Sequence, residues 1–288
     1  MRCAAPIAPA FSASPPPALA WSTAGLFTRA LPFDAATLLF WRGTFGSLGT
    51  LVLIAALPAT GGLAGFRRLG RPGLGYAAVT ALSMLCFIGA LLTTTVAHVA
   101  VLTAVVPFVA AFLGWALLHE APRPAAILAS LAAVAGVAVM VGLGTEGTWQ
   151  GDLLAMAMAT LMAGMILISR RFPGIPALPA TALAAALSAI ATLPFLTGPV
   201  PAGADLAVVL AFALVNQVLG FGLFAIGARH LPPMESALLT TLDAPLAPLW
   251  VWLVFAETPS PATLSGGTIV LAAVLLHIRH EARQNPAP

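Results

Sequence analysis

The sequence contains no lysine, and only 7% of its 288 residues are charged. Soluble domains carry about 25% charged residues, so this composition excludes the soluble classes. The absence of lysine also rules out a P-loop lysine and a lysine Schiff base. There are two cysteines, Cys3 and Cys86, and neither has a metal-ligand neighbour at a useful spacing. We therefore expect no disulfide, no metal site and no bound cofactor.

Apolar residues dominate what is present. Hydrophobic residues make up 60% of the chain, and the mean hydropathy is +1.01. A membrane-spanning helix needs roughly 20 apolar residues. Stretches of this kind lie at about 10–31, 36–57, 74–95, 97–118, 125–144, 151–169, 178–197, 205–227, 234–255 and 262–279. Because ten such spans leave no room for a soluble domain, the predicted fold class is an all-α polytopic membrane protein with ten transmembrane helices.

The first of these stretches is weaker than the others. Prolines crowd its first half, and a clean apolar run begins only near Ala18. A signal peptide is the competing interpretation, because residues 18–20 (ALA) resemble a cleavage site. No leucine-rich segment precedes that site, which argues against the signal peptide. We expect an irregular first helix, or a start assigned at the wrong methionine.

The arginines are distributed unevenly between the connections. Nine of the twelve follow apolar stretches of even number: Arg67, Arg68, Arg71, Arg123, Arg170, Arg171, Arg229, Arg279 and Arg283. The alternate connections contain Asp34, Glu146, Asp152, Asp205 and Glu257. Since cytoplasmic loops carry the arginine excess, this pattern predicts a cytoplasmic C-terminus. No stretch clusters enough arginines to bind a nucleic acid, so the expected surroundings are a lipid bilayer and a small-molecule substrate.

The chain also repeats itself. Residues 116–124 (ALLHEAPRP) are echoed by residues 253–261 (LVFAETPSP), so that Glu120 and Glu257 are equivalent and 137 residues apart. Each copy ends a span that contains proline, Pro107 in the first copy and Pro245 in the second. Five spans per half is an odd number, so the second half must insert upside down relative to the first. Inverted repeats of this kind are typical of secondary transporters.

The predicted domains follow from the repeat. An irregular N-terminus (1–17) precedes the first five-helix repeat (18–144), and the second, inverted repeat (151–279) precedes a cytoplasmic tail (280–288). With these features the chain resembles the drug/metabolite transporter superfamily, and most of all its EamA-like ten-helix carriers. The resemblance runs from Ala18 to about Ile278. It is carried by residues 21–25 (WSTAG), Arg42, residues 107–120, residues 151–154 (GDLL) and Glu257 with the prolines after it.

The resemblance implies a carrier of small metabolites, commonly an exporter of amino acids or related compounds, in a bacterial inner membrane. It leaves efflux of drugs or cationic compounds as the alternative, and it leaves a homodimer open. The sequence departs from the family pattern in the first half of helix one and at His98, which begins the fourth span.

Two charged residues inside spans are candidates for the substrate path, since charges in the membrane are costly and usually functional. Arg42 lies about two turns into the second span and could bind a substrate carboxylate, or reach the outer headgroups instead. Asp243 lies in the ninth span, just before Pro245. This carboxylate could carry a proton or bind a substrate ammonium group. Its alternative role is structural pairing with an arginine.

The remaining candidates are polar or aromatic. Asn216 and Gln217 are adjacent in the eighth span, so we expect one to face the cavity and the other to join helices. His98 could act as a pH-sensitive gate or simply lie at the interface. Trp21 and Thr23 could line the cavity from helix one or serve only in packing.

Further residues are expected to be structural: Glu120, Glu257, Pro107 and Pro245 mark the ends and bends of the repeated helices.

An intramembrane enzyme and a channel are the competing classes. His119 and Glu120 are not followed by a second histidine at the zinc-protease spacing, and His230 with Glu235 departs from an acyltransferase motif. No Gly-x-Ser-x-Gly segment occurs. There is also no potassium-type filter sequence and no ring of charges. We therefore predict that the protein is not an enzyme and that it transports by a carrier mechanism.

Overall fold

The computed structural model describes residues 17–56, 62–94, 99, 102–141, 148–227, 231–256 and 258–284. Its α-helices are α1 (Pro17–Ser22), α2 (Ala24–Ala30), α3 (Ala35–Ala56), α4 (Gly70–Thr93), α5 (Val106–Leu113), α6 (Pro124–Val141), α7 (Trp149–Arg171), α8 (Ala177–Thr192), α9 (Gly203–Phe212), α10 (Gly222–Gly227), α11 (Pro233–Thr240), α12 (Asp243–Phe255) and α13 (Pro261–Gln284). No strand occurs in these ranges, which confirms the all-α prediction. His98, Glu257 and nearly all of the predicted irregular N-terminus lie outside the described residues.

Four shorter segments deviate from α-helical geometry. Gly62–Arg68 and Leu193–Phe195 are 3₁₀ helices, and Gly114–Leu118 and Ala213–Phe221 are π-helical. The second π-helical segment joins α9 to α10, so that all three form one continuous helical path. π-Helical turns are rare and occur frequently at functional sites.

Within the described residues, six helical segments are long and apolar enough to cross a membrane: Ala36–Ala56, Trp149–Arg171, Ala177–Phe195, Gly203–Phe224, Ser236–Phe255 and Pro261–His280. Large apolar side chains such as Val52, Leu128 and Leu253 are about two-thirds exposed or more on the outside of the bundle (68%, 68% and 70%). A soluble monomer rarely exposes so much apolar surface. The protein is therefore a multi-pass membrane protein, while the count of ten spans stays a prediction.

Helices at corresponding positions in the two halves pack against each other. The second predicted span of the first half is α3, and it packs against α8, the second span of the other half. The fifth spans of the two halves are α6 and α13, and they also pack against each other. The packing of α4 on α7 has its counterpart in the packing of the π-helical segment 213–221 on α1. Exchanging the halves thus maps one set of contacts onto the other, as an approximate two-fold axis would.

The backbone repeats an unusual conformation at the ends of the two proline-containing helices. His119 (φ 57°) and Ala256 (φ 54°) are the non-glycine residues with positive φ among the described residues. They are 137 residues apart, which is also the spacing of Glu120 and Glu257. A side-chain-bearing residue in the left-handed region costs about 1–2 kcal/mol. The same costly turn in both halves is independent structural support for the duplication seen in the sequence.

Both proline-containing helices are interrupted before their proline. In the first half the break is at Val105, whose amide donates to the Leu102 carbonyl (3.2 Å), ahead of Pro107. In the second half the Thr241 amide donates to the Leu238 carbonyl (3.1 Å), ahead of Pro245. Proline has no amide hydrogen and its ring crowds the preceding turn, so a regular helix cannot continue through these positions. The second break makes Asp243 the first residue of α12.

Asp34 fixes the start of α3 and joins it to the other half. Its carboxylate accepts hydrogen bonds from the Thr37 amide (2.9 Å), the Thr37 hydroxyl (2.6 Å) and the Thr197 hydroxyl (3.3 Å). Burial acts to raise the pKa of Asp34, but these hydrogen bonds outweigh it and the pKa is lowered. The ionised carboxylate thus caps the helix and ties it to the loop after α8.

The crossing of α6 and α13 depends on two glycines, and Gly136→Ala should disrupt it. A Cβ at Gly136 would lie 2.8 Å from the backbone carbonyl of Gly266, which cannot move without shifting the helix. We expect Gly136→Ala to lower the free energy of unfolding by about 1–3 kcal/mol, as overpacking typically does. Thermal unfolding in detergent measures it. Gly75→Ala is the matched control, because a Cβ at Gly75 meets no atom within 4 Å. Equal melting of the two variants would contradict the close crossing.

Candidate functional site

A cavity of about 180 Å³ lies between the two halves. Its walls come from α1 to α4 and residue 103 in the first half, and from α7, the π-helical segment 213–221 and α12 in the second. The lining residues are Trp21, Ala24, Arg42, Thr80, Ser83, Met84, Phe87, Thr103, Met158, Met162, Met165, Asn216, Phe221 and Asp243. The lining is largely apolar, with few polar groups, as is usual for small-molecule sites.

Arg42 reaches the cavity from α3 and is held on several sides. Its Nη1 donates to Asn216 Oδ1 (2.8 Å), and its Nη2 points at the sulfur of Met84 (3.3 Å). The guanidinium carbon lies 5.4 Å from the centre of the Phe212 ring. The side chain is only 7% exposed, and its Nε has no hydrogen-bond partner. No carboxylate of the described chain forms an ion pair with it. Arg42 is thus a positioned cation with donor capacity to spare.

The π-helical segment separates the two adjacent amides. Asn216 faces the cavity, where its Nδ2 approaches the carbonyls of Ala20 and Trp21 at 3.4 Å. Gln217 is buried against α3, since a Cβ at Gly46 would lie 2.7 Å from the Cβ of Gln217. Asn216 therefore links Arg42 to helix α1, while Gln217 occupies the helix contact and is not part of the cavity lining.

Asp243 lies at the N-terminus of α12, immediately after the helix break, and faces the same cavity as Arg42. The two side chains do not form an ion pair: no nitrogen of Arg42 lies within 4.0 Å of a carboxylate oxygen of Asp243. Opposite charges that share a small apolar cavity without pairing can each contact a different end of one ligand. This arrangement suits a molecule that carries both an anionic and a cationic group.

Trp21 forms the aromatic side of the cavity. Its ring lies 4.9 Å from that of Phe221 and 5.1 Å from that of Phe224, measured between centroids. The buried indole Nε1 has no hydrogen-bond partner and lies against Gly220, whose lack of a side chain leaves room for it. Thr23, by contrast, donates its hydroxyl to the Ala20 carbonyl (2.6 Å) and is not among the lining residues.

Four methionines in the lining were not among the residues singled out from the sequence. Met158, Met162 and Met165 lie on one face of α7, and Met84 faces them from α4. Their spacing of four and then three residues was the available signal, because it places all three on one side of a helix. Methionine is flexible and polarisable, so this wall can adapt to ligands of different shape.

Three of the residues expected to be structural, Pro107, Pro245 and Glu120, are not among the lining residues of this cavity. Pro107 and Pro245 are buried next to the two helix breaks. Glu120 pairs with Arg170 at the end of α7, with Nη2 and Nε each 3.2 Å from Oε1. The bridge joins the two halves at the end of the bundle that the arginine pattern assigns to the cytoplasm.

A double-mutant cycle on this bridge should give a small coupling energy. Both side chains are partly exposed (20% for Arg170 and 35% for Glu120), so water screens their attraction. We expect Glu120→Gln and Arg170→Gln to couple by about 0.2–1 kcal/mol in the free energy of unfolding. Denaturant titration of the two single variants and the double variant gives this value. A coupling energy several times larger would mean that the bridge contributes substantially to the stability of the contact between the two halves.

Comparison with known proteins identifies the family. No curated protein is significantly similar in sequence. A crystal structure that is 20% identical superposes with a TM-score of 0.79, over 93% of this chain and 96% of that one, which shows that the fold is shared. The sequence profile of the EamA-like transporter family matches twice, at residues 17–142 and 149–279. These two matches cover most of the chain, and the protein belongs to the EamA-like transporter family.

Proposed function

We propose that the protein is a secondary transporter that exports amino acids or related small zwitterions by alternating access. Members of the EamA-like family are membrane transporters of small molecules. The main support for the substrate class is the pair of opposite charges, Arg42 and Asp243, that line one cavity without pairing. Arg42 would bind the substrate carboxylate, and Asp243 would bind its ammonium group.

The remaining lining determines which zwitterions fit. Trp21, Phe87 and Phe221 offer aromatic faces, and the four methionines offer soft apolar surface. A cavity of about 180 Å³ leaves room for a small molecule with a short apolar side chain. A bulky side chain would exceed the volume of the cavity. A highly polar side chain would leave polar groups unpaired against an apolar wall, which disfavours it.

Alternating access has support from the symmetry of the contacts and from the broken helices. The helix pairs α3 with α8 and α6 with α13 join equivalent positions of the two halves. One half can therefore rock against the other. The interruptions at Val105 and at Thr241 lie in equivalent helices. Broken helices near the middle of the membrane line substrate sites in many transporters.

The first test is ligand-induced stabilisation of the purified protein. A ligand that binds only the folded state raises the unfolding temperature as its concentration rises. The panel contains amino acids with apolar side chains, the matching amines without the carboxylate, nucleosides and cationic drugs. A dose-dependent rise with the amino acids alone supports the zwitterion proposal. Tracer flux in proteoliposomes that fails to saturate would instead favour a channel.

Efflux of cationic compounds is the second candidate, and one observation favours it. Arg42 already contacts Asn216, Met84 and Phe212, whereas Asp243 makes no ion pair with any described residue and lies in a cavity with aromatic walls. An aromatic site with one carboxylate attracts organic cations. Stabilisation by the amines and drugs in the panel, without stabilisation by the amino acids, would select this candidate.

Proton coupling and orientation complete the proposal. Asp243 is the carboxylate of the cavity lining, so it is our candidate for a proton carrier. In proteoliposomes at saturating substrate, transport by Asp243→Asn that no longer responds to a pH gradient would support this role, and unchanged pH-driven transport would exclude it. The arginine distribution supports a cytoplasmic C-terminus, and the resemblance to bacterial carriers supports the inner membrane.

A further inference from the structure

A second, larger recess lies away from the transport cavity, where α6 and α13 meet. Its volume is about 740 Å³, and it opens to the outside of the bundle. Its apolar wall consists of small and apolar side chains, among them Leu128, Ala132 and Leu276. Leu276 is 63% exposed. This wall therefore faces the surface of the bundle that is covered by lipid acyl chains.

The side of the recess formed by the end of α13 is basic. Arg279, His280 and Arg283 lie in the last turns of α13, and all three are exposed. The described residues that line the recess include no carboxylate. Ala125, in the first turn of α6, lines the same recess, so the N-terminus of α6 borders it as well. A helix N-terminus carries a partial positive charge, so it adds to the positive field of the arginines.

We propose that this recess is a binding site for an anionic phospholipid. One acyl chain lies along Ala129 and Ala132 of α6, in the apolar wall, and the phosphate contacts Arg279 and Arg283. Basic pockets between transmembrane helices bind anionic headgroups in this way. A neutral zwitterionic lipid can fill the same apolar wall, but its headgroup amine would meet the arginines. The site therefore distinguishes lipids by the charge of their headgroups, and the small alanine side chains leave room for an acyl chain.

The site has a structural consequence for the close crossing of α6 and α13. The lipid would contact both helices, since both line the recess, and they are the pair that meets at Gly136 and Gly266. Binding should therefore stabilise the contact between α6 and α13. Because the recess shares no lining residue with the transport cavity, lipid selectivity can be lost without any change in ligand binding.

The test measures the relative affinity for phosphatidylglycerol over phosphatidylcholine, by native mass spectrometry of the full-length protein. An arginine near an anionic lipid surface contributes about a fivefold factor in affinity, so Arg279→Gln with Arg283→Gln should reduce the preference about 25-fold. The control is Arg67→Gln with Arg68→Gln, which removes two exposed arginines from another connection. Its preference should match that of the unmodified protein.

A third variant tests the apolar wall with the arginines intact. Ala132→Phe places a large side chain in the recess and should reduce the binding of both lipids. An unchanged preference in the double variant at positions 279 and 283 would overturn the proposal. So would an equal loss in the control, which would mean that general surface charge attracts the lipid. Competition by soluble glycerol phosphate as strong as that by the lipid would also overturn it, because the acyl chain would then play no part.

Discussion

Replacing Asp243 by asparagine should strongly weaken the binding of zwitterions, both in saturable transport by proteoliposomes and in ligand-induced stabilisation. Asparagine has nearly the same shape, so the cavity keeps its volume and loses only the charge that would bind the ammonium group. Removing one partner of a buried charge contact costs about 2–5 kcal/mol, which corresponds to a roughly 30-fold or greater loss of affinity. The measurement is the shift in half-saturating ligand concentration.

The control for this variant is Asp205→Asn. Asp205 is an acidic residue in the first turn of α9 and does not line the cavity. It should keep the affinity of the unmodified protein. If Asp243→Asn bound amino acids as tightly as Asp205→Asn, the ammonium site would have to lie elsewhere, and the assignment of Asp243 would be wrong.

Replacing Arg42 by methionine should remove binding of carboxylate-bearing ligands while sparing the matching amines. Methionine keeps much of the length of the side chain and places another thioether beside Met84, so the change is mainly one of charge. We expect a roughly 30-fold or greater loss of affinity for amino acids. The same amine ligands should shift the unfolding temperature of the variant and of the unmodified protein equally. This contrast separates the role of Arg42 from that of Asp243.

Arg42 also has a structural role, which the same variant reveals. It donates to Asn216, whose side chain in turn approaches the carbonyls of helix α1. Leaving the Asn216 oxygen without a donor should cost about 1–3 kcal/mol in the free energy of unfolding. Ligand shifts must therefore be compared with the variant's own melting temperature. If amino acids stabilised Arg42→Met as strongly as the unmodified protein, Arg42 would be structural only.

Much of this architecture could be predicted from the sequence because bilayers constrain it so strongly. The apolar stretches and the arginine distribution each report a physical requirement of a multi-pass protein, and the repeated Glu-Pro segments report the duplication. The family is confirmed, and so is the all-α fold of the described residues. Arg42, Asp243, Asn216 and Trp21, which were named from the sequence, all line one cavity. They could be named because polar or aromatic groups stand out in an alanine-rich chain.

Other features could not be predicted, for identifiable reasons. The spacing of the methionines of α7 places them on one face of a helix, but a core-packing face has the same spacing, and only the structure shows that this face lines a cavity. Thr23, between α1 and α2, bonds to the Ala20 carbonyl, and Gln217 packs on Gly46. No sequence pattern distinguishes either residue from one that faces the cavity. The roles of all the site residues in transport stay predictions. The continuation of α13 to Gln284 carries a basic helix end beyond the predicted span.

The geometry of the π-helical segment 213–221 determines which of its side chains point into the cavity. In a π-helix each amide bonds to the carbonyl five residues back, so the path accommodates more residues per turn than an α-helix does. One residue corresponds to about 100° of rotation around an α-helix. Phe221 lies five residues after Asn216 within this segment, and both side chains face the cavity. A regular α-helix would turn one of them away, so the wide turn lets a single helix present an amide and an aromatic ring to the same ligand.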